Sequence, residues 1–319
     1  MLSVIIPVYN EEKQIEGTIQ QIKNTISSID EDFEIIIIDD GSKDKTWDLL
    51  KALAAKDRKI IASRFSRNFG KEAALMAGLS MAKGDACITM DADLQHPPEL
   101  IPQMVSLWKE GFDVVEAVKS DRGNEKSSNR FFASLFYKIM RRLSGYNLQN
   151  ASDFKLLDKK VVDQISQMHE KETFFRGLSA WVGYNRTQVY FSVPERKTGK
   201  SRWSTLKLFR LAIGALTSFS SIPLQFVTFI GVLFLIGSII LGIQTLVMKL
   251  KGWAIGGFTT VILLLLIIGS SLMISLGMIG IYIARIYNEV KSRPRYIISD
   301  RTPRHSEPTV CHSKRSEES

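Results

Sequence analysis

The sequence predicts an α/β fold class, in which a mostly parallel sheet with helices on both faces is followed by two transmembrane helices. In the first 190 residues, apolar runs of strand length alternate with segments of helical periodicity. This alternation is typical of a parallel sheet that helices cover on both faces. Farther along, Lys, Arg, Asp and Glu are absent from Leu211 to Met248 and from Trp253 to Ala284. Each run is longer than the about 20 apolar residues that cross a bilayer.

Five strands are predicted first, each from a short run rich in Ile, Val or Ala. They are Ser3–Val8, Glu34–Ile38, Lys59–Ser63, Ala86–Met90 and Asp113–Ala117. Helical periodicity predicts helices between them, at Glu12–Ile29, Lys45–Lys56, Lys71–Ala82 and Glu99–Lys109. The pattern is less regular after Arg122, where it predicts helices at Asn129–Leu143 and Glu172–Val182 and strands at Phe154–Leu157 and Thr187–Val193.

The two uncharged runs predict transmembrane helices at Pro223–Met248 and Gly257–Ala284. A buried pair of core helices is the alternative, but two uncharged stretches of this length are rare in soluble domains. We expect an amphipathic helix at Lys207–Ser218 to lie on the membrane surface before the first span. The predicted organisation has four segments: a globular domain (1–202), a juxtamembrane helix (203–222), a transmembrane hairpin (223–284) and a basic C-terminal segment (285–319). Within the last segment, the polar tail from Asp300 is predicted to be disordered.

Basic residues flank both predicted spans. Those before the first span are Lys200, Arg202, Lys207 and Arg210, and those after the second are Arg285, Lys291, Arg293 and Arg295. Because cytoplasmic flanks are enriched in Lys and Arg, this pattern predicts that both termini and the globular domain are cytoplasmic, although the connecting loop also carries Lys249 and Lys251. The net charge of +9 fits attraction to an anionic leaflet better than nucleic-acid binding.

Two carboxylates one residue apart, Asp91 and Asp93, follow the fourth predicted strand, and Gln95 lies two positions farther on. Side chains at i and i+2 of an extended backbone point the same way, so the two carboxylates can converge on one cation. Mg²⁺ and Mn²⁺ prefer oxygen ligands and keep open positions for phosphate oxygens. The alternative is that Asp93 caps the helix that begins near Pro97 and that Asp91 is a solvated strand end.

Two further predicted strands end in side chains that suit a nucleotide. The first runs into Tyr9 and Glu11 without a Gly-x-Gly-x-x-Gly motif, which argues against a dinucleotide-binding site. Tyr9 could stack on a base, and Glu11 could accept a hydrogen bond from it. The second strand ends at Asp39-Asp40-Gly41-Ser42, where a carboxylate can accept hydrogen bonds from ribose hydroxyls or a base, or simply begin a turn. Acidic groups at three strand ends of one sheet predict a binding site.

Six motifs, in chain order, resemble those of polyprenyl-phosphate glycosyltransferases: VIIPVYNEE, IIIIDDGSKDKT, RNFGKEAALMAGL, MDADLQHPPE, ASDFKLLDKKVV and RKTGKSRWSTLKL. The resemblance is to glycosyltransferase family 2, including dolichyl-phosphate mannose synthases and bactoprenol glucosyltransferases, and covers about Leu2 to Ile298. It implies a GT-A catalytic domain at 1–202. It also implies inverting transfer of a sugar from a UDP- or GDP-linked donor to a polyprenyl (undecaprenyl) phosphate, at the cytoplasmic face of the bacterial inner membrane, for cell-envelope glycan modification.

The resemblance also implies roles for individual residues. The residues implied to bind the nucleotide sugar are Pro7, Tyr9, Glu11, Ile38, Asp40, Asp91, Ala92 and Lys119. The divalent metal, Mg²⁺ or Mn²⁺, is implied to bind Asp91, Asp93 and Gln95. Asp93 and Asp153 are the implied catalytic residues, and Asp153 matches an acidic position that has been considered a catalytic base. A strong base is not required, because the second pKa of a phosphate monoester is about 6.

The lipid phosphate is expected to bind a Gly-containing basic loop just before the membrane. The resemblance implies Arg196 and Arg202, and Lys200 and Ser201 lie between them. Several cations in one loop can clamp an anionic head group, whereas the alternative is a generic anchor attracted to acidic lipids.

Two rival functions remain. A processive polysaccharide synthase would need Gln-x-x-Arg-Trp, but Gly199 stands where the Gln would be before Arg202-Trp203, and two spans are too few for an export channel. A non-catalytic membrane scaffold is the other rival. We expect no nucleic-acid partner. The sequence does not decide whether the protein forms a homo-oligomer.

Overall fold

The computed structural model describes residues 1–93, 95–119, 151–168, 170, 174–191, 222–251 and 257–303. These residues divide into two compact units. The described residues up to 191, together with 294–303, form an α/β unit, and the remaining described residues form a helical unit.

The α/β unit is built on one eight-stranded sheet with the order β7-β5-β6-β4-β1-β2-β3-β8. The strands are β1 (Leu2–Val8), β2 (Phe33–Asp39), β3 (Ile60–Phe65), β4 (Ala86–Thr89), β5 (Val114–Lys119), β6 (Ala151–Asp158), β7 (Arg186–Phe191) and β8 (Ile298–Arg301). Four of the seven strand pairs are parallel, while β6 and β8 run antiparallel to their neighbours. The predicted fold class, a mostly parallel sheet in an α/β unit, is confirmed.

Helices cover both faces of this sheet. The helices of the α/β unit are α1 (Ile15–Ser27), α2 (Thr46–Lys56), α3 (Lys71–Met81), α4 (Ile101–Lys109), α5 (Lys159–Gln167) and α6 (Phe175–Trp181). On one face α1, α2 and α4 pack on a core that contains Val4 and Ile6, whereas α3, α5 and α6 pack on the opposite core, which contains Ile5. Successive residues of β1 therefore point into different cores, which explains why the central strands are mostly apolar on both faces.

The structure extends or corrects several predicted elements. Helix α5 was not predicted, and β6 is longer than the predicted strand Phe154–Leu157. The predicted helices Asn129–Leu143 and Lys207–Ser218 lie outside the described residues.

Residues 300–303 of the tail that was expected to be disordered from Asp300 are instead ordered, and the rest of this tail lies outside the described residues. Strand β8 pairs with β3, and the indole Nε1 of Trp47 donates to Asp300 Oδ2 at 3.0 Å. The Ala62 amide also donates to Thr302 Oγ1 at 2.9 Å. An edge strand offers unpaired main-chain groups, so a polar segment can pair with it without an apolar signal in its sequence.

The helical unit contains α7 (Ile222–Leu250) and α8 (Phe258–Val290). Both are long and apolar enough to cross a membrane, over Val227–Met248 and Ile267–Val290. Helices at both predicted spans are thus confirmed, and the second continues six residues beyond the predicted end at Ala284.

Candidate functional site

A cavity of about 390 Å³ lies where β1, β2 and β4 end at one edge of the sheet. In open α/β sheets, ligands bind in the crevice outside the carboxyl ends of the strands. The residues that line it are Pro7, Val8, Tyr9, Glu11, Asp40, Asn68, Gly70, Lys71, Asp91, Ala92 and Asp93. The structure therefore brings seven of the predicted site residues together: Pro7, Tyr9, Glu11, Asp40, Asp91, Ala92 and Asp93.

At the end of β2, Asp40 organises the loop that begins α3. Its two carboxylate oxygens accept hydrogen bonds from the Phe69 amide at 2.6 Å and the Gly70 amide at 2.9 Å. Burial raises the pKa of Asp40, although these two amide donors oppose the rise. Ile38 is buried and does not line the cavity.

The neighbouring residues of the β2 end form a tight turn. Buried Asp39 accepts a hydrogen bond from the Ser42 amide at 2.9 Å. Gly41 has a φ of +70°, and a Cβ there would lie 2.6 Å from the carbonyl carbon of Arg67. Only glycine fits this position without a clash. The hydrogen bond from Ser42 shows that the turn interpretation of this motif is correct for Asp39, whereas Asp40 lines the cavity.

The loop after β1 is fastened to the β2 end. The Asn10 amide donates to Ser42 Oγ and the Glu11 amide to Thr46 Oγ1, both at 2.9 Å. Tyr9 is 40% exposed and lines the cavity. Burial raises the pKa of Glu11, and the negative charge of Asp93 adds to the rise.

The loop after β4 presents both carboxylates of the Asp-x-Asp motif to the cavity. The Asp91 amide donates to Nδ1 of buried His96 at 3.1 Å, and the His96 ring stacks on Phe154 with 5.3 Å between centroids. Among the described residues, Asp93 Oδ1 accepts only a local hydrogen bond, from the Gln95 amide at 3.1 Å. No side chain caps the helical turn at Pro98–Leu100, so the capping alternative for Asp93 is wrong.

These carboxylates suit a hard cation that a ligand helps to hold. Among the described residues, no three His, Cys, Asp or Glu side chains are grouped closely enough to form a complete metal site. Mg²⁺, however, is usually bound through one or two carboxylates together with substrate phosphates and water. Asp91 and Asp93 supply such a donor set, whereas Gln95 does not line the cavity.

Sequence reasoning missed an ion-pair network, formed by Lys71, Asp91, Asp153 and Arg176, that extends from the cavity towards α6. Lys71 Nζ lies 2.5 Å from Asp91 Oδ1 and 2.6 Å from Asp153 Oδ2. Arg176 Nε and Nη2 donate to the two carboxylate oxygens of Asp153 at 2.7 and 2.9 Å. Lys71 stands in the RNFGKEAALMAGL motif, but its partners lie far away in sequence.

The network fixes the charge state of Asp153. Burial alone would raise the pKa of Asp153, but the hydrogen bonds and charges of Arg176 and Lys71 outweigh it and hold this pKa well below its usual range. Burial would lower the pKa of Lys71, but Asp91 and Asp153 raise it. Asp153 and Lys71 are therefore both ionised at neutral pH.

The remaining predicted residues are not brought to the cavity by the described structure. Lys119 ends β5, which β6 separates from β4, and its side chain is not described. Arg196, Lys200, Ser201 and Arg202 lie outside the described residues.

Comparison with known proteins identifies the family. The family model for glycosyl transferase family 2 matches residues 3–166. An uncharacterized glycosyltransferase of Synechocystis is 40% identical over 302 residues, covering 94% of this chain and 95% of the relative. A prophage-derived bactoprenol glucosyl transferase of Shigella flexneri is 39% identical over 303 residues, covering 93% of this chain and 97% of the relative.

A solved glucosyl-3-phosphoglycerate synthase of Mycobacterium tuberculosis, in complex with uridine diphosphate, is 23% identical with a TM-score of 0.47. The match covers 68% of this chain and 79% of that one. The family model and the full-length relatives lead to one conclusion: this chain is a glycosyltransferase that belongs to glycosyl transferase family 2.

Proposed function

We propose that the protein transfers a sugar, with inversion, from a nucleotide-diphosphate sugar to a polyprenyl phosphate. The observation that carries the proposal is the cavity at the ends of β1, β2 and β4, where Tyr9, Glu11, Asp40, Asp91 and Asp93 meet. The printed name of the Shigella relative, bactoprenol glucosyl transferase, supports the polyprenyl acceptor. The two apolar helices support an acceptor that stays in a membrane.

On the donor side, the β1 and β2 ends would bind the nucleoside. The exposed ring of Tyr9 can stack on a base, and Asp40 and Glu11 have acceptor oxygens for hydroxyl or N–H groups. Pro7 also lines the cavity. Ile38 can contribute only through its main chain or by supporting Asp40, because its side chain is buried.

On the diphosphate side, Asp91 and Asp93 would hold Mg²⁺ or Mn²⁺, with Gln95 as a further candidate and with Ala92 and Lys119 near the diphosphate. When bound, the cation would neutralise the negative charge of the leaving diphosphate. Asp93 is exposed and has no cation partner among the described residues, so it can accept such an ion with little rearrangement.

The acceptor phosphate oxygen would attack the anomeric carbon from the face opposite the leaving group. It is largely ionised near pH 7, since its second pKa is about 6, so the reaction depends on positioning more than on a base. Asp153 suits a base role poorly, because Arg176 and Lys71 hold its pKa low. We therefore assign Asp153 to positioning and not to proton abstraction.

We further propose that the basic loop before α7 binds the lipid phosphate, through Arg196, Lys200, Ser201 and Arg202.

We also propose that the protein is a multi-pass protein of the bacterial inner membrane. The basic flanks of α7 and α8 support cytoplasmic termini and a cytoplasmic catalytic domain. A cysteine introduced at Ser66 should resist an impermeant thiol reagent in intact cells and react after permeabilisation. Reaction in intact cells would contradict this orientation.

The decisive experiment offers the purified full-length protein undecaprenyl phosphate, Mn²⁺ and a panel of UDP- and GDP-sugars. We expect one monoglycosylated lipid phosphate, with inverted anomeric configuration by NMR. Arg202→Ala should raise the Michaelis constant for the lipid on the order of tenfold while the nucleotide affinity stays close to wild type. Products of increasing length would indicate a processive synthase, and no transfer from any donor would favour the scaffold.

A further inference from the structure

We infer that Lys71 is an internal counter-ion that occupies Asp91 before the donor arrives and competes there with the divalent cation. The inference rests on the proposed function, because it concerns the same metal site. Through this competition, Lys71 makes the binding of the divalent cation depend on the nucleotide.

The position of Lys71 is fixed from the nucleotide side of the cavity. It is the first residue of α3, directly after Gly70, which has a φ of +100°. The Gly70 and Phe69 amides are held by the two carboxylate oxygens of Asp40. The start of α3 is therefore anchored on the β2 end, and the Lys71 side chain extends from it to the end of β4, where its Nζ lies 2.5 Å from Asp91 Oδ1.

The far side of Lys71 is held by a rigid partner. Asp153 is 4% exposed and accepts two hydrogen bonds from Arg176 besides the one from Lys71 at 2.6 Å. The Phe175 amide donates to Glu72 Oε2 at 2.9 Å, which ties α6 directly to the start of α3. Asp153 is therefore placed to keep Lys71 in the network even when Asp91 is engaged elsewhere.

The charges of the network balance without a metal ion. Two carboxylates, Asp91 and Asp153, face two cations, Lys71 and Arg176. A divalent cation that bound Asp91 alone would compete with the ammonium for the same carboxylate and would lie beside it. The negative charge of a nucleoside diphosphate would offset this repulsion, so metal and nucleotide should each strengthen the binding of the other.

The experiment measures the affinity for Mn²⁺ alone, by electron paramagnetic resonance, on the full-length protein. In Lys71→Met, free Mn²⁺ should bind about tenfold more tightly than in wild type, because one charge-assisted contact no longer competes. Lys71→Arg, which keeps the charge, should bind as weakly as wild type. Lys23→Met is a matched control, since Lys23 forms a pair of the same length with Asp57, 2.5 Å, outside the residues that line the cavity.

A second readout is the Mn²⁺ affinity with uridine diphosphate divided by the Mn²⁺ affinity without it. This ratio should be about tenfold lower in Lys71→Met than in wild type. Circular dichroism and melting temperature verify that the variant is folded, and Lys71→Gln replaces it if it is not. Equal Mn²⁺ affinity and an equal ratio in the folded variant and wild type would overturn the inference. By contrast, an absence of Mn²⁺-dependent nucleotide binding in wild type, with the Lys71 effect on free Mn²⁺ intact, would count against the proposed function and not against the counter-ion.

Discussion

Asp40 and Asp153 are each 4% exposed, yet their surroundings differ in kind. Asp40, at the β2 end, accepts hydrogen bonds from two main-chain amides, which carry no net charge. Asp153, in the ion-pair network, accepts hydrogen bonds from Lys71 and Arg176, which do. Burial accordingly raises the pKa of Asp40, whereas the two cations outweigh burial and lower the pKa of Asp153.

The difference shows that the partners of a buried carboxylate, and not its degree of burial, decide what it can do. A carboxylate held by neutral amides keeps acceptor capacity for the neutral donors of a nucleoside. A carboxylate held by two cations stays ionised and orients those cations. Under the proposed function, the two halves of the site would therefore have separate tasks, one in binding the nucleoside and one in balancing charge near the diphosphate.

The largest effect is expected at the β4 end, which lies between these two regions. Asp93→Asn should lower the turnover number on the order of a hundredfold or more, because it removes charge from the proposed metal site. The melting temperature should stay close to wild type, since Asp93 is exposed and, within the part of the chain that the structure describes, makes only a local hydrogen bond. Asp48→Asn, at an exposed pair on α2, is the control. Near-wild-type turnover of Asp93→Asn in Mg²⁺ or Mn²⁺ would refute the metal assignment.

A smaller effect is expected from removing one cation of the ion-pair network. Arg176→Met should cost about 2 kcal/mol of stability at pH 7, because it takes two hydrogen bonds from a buried carboxylate that retains Lys71. In a domain of this size that corresponds to a fall of about 4–8 °C in the melting temperature. Lys51→Met, which breaks an exposed pair, should change it by less than about 3 °C.

The pH dependence sharpens this comparison. Because the folded pKa of Asp153 is below its unfolded value of about 3.9, its stabilising contribution is complete above that value and is lost as the pH falls through the folded pKa. The difference between wild type and Arg176→Met should therefore be constant above about pH 4 and should narrow as the pH is lowered below that value. A difference that is constant with pH, or no difference at pH 7, would show that the pair contributes nothing.

The smallest effect is expected at Glu72, where burial, assisted by the charge of Asp153, raises the pKa to about 7. Ionisation of Glu72 is disfavoured in the folded protein, so the wild type should lose stability as the pH rises from about 4.5 through 7. Glu72→Gln should not show this loss, so its free energy of unfolding should exceed that of wild type by about 1 kcal/mol at pH 8, but not at pH 5. Melting curves at both pH values measure this, with exposed Glu16→Gln as control. Parallel pH profiles for Glu72→Gln and wild type would contradict the assignment.

Much of the fold could be predicted because the decisive signals are local. Strands β1 and β2 are buried along their whole length, so their sequences are mostly apolar. The carboxyl ends of β1, β2 and β4 meet at one edge in any such sheet, which is why Glu11, Asp40 and Asp91 were correctly expected to lie together.

What could not be predicted depends on distant pairings. Strand β8 is polar, and it joins the sheet through main-chain hydrogen bonds that leave no apolar pattern. Lys71 lies 82 residues from Asp153 in sequence, and the sequence of α3 gives no sign that this lysine would reach β6. Arg176 was also missed, because a lone arginine in a predicted helix has no distinctive spacing.

The central claim is that the cavity at the ends of β1, β2 and β4 binds a nucleoside diphosphate together with a divalent cation. Calorimetric titration of UDP and GDP into the full-length protein, with Mn²⁺ and with chelator, tests it most directly. We predict binding of one nucleotide that Mn²⁺ strengthens about tenfold or more, and that Asp93→Asn makes insensitive to Mn²⁺. Equal binding with and without Mn²⁺ in wild type, or no binding of either nucleotide, would contradict the account.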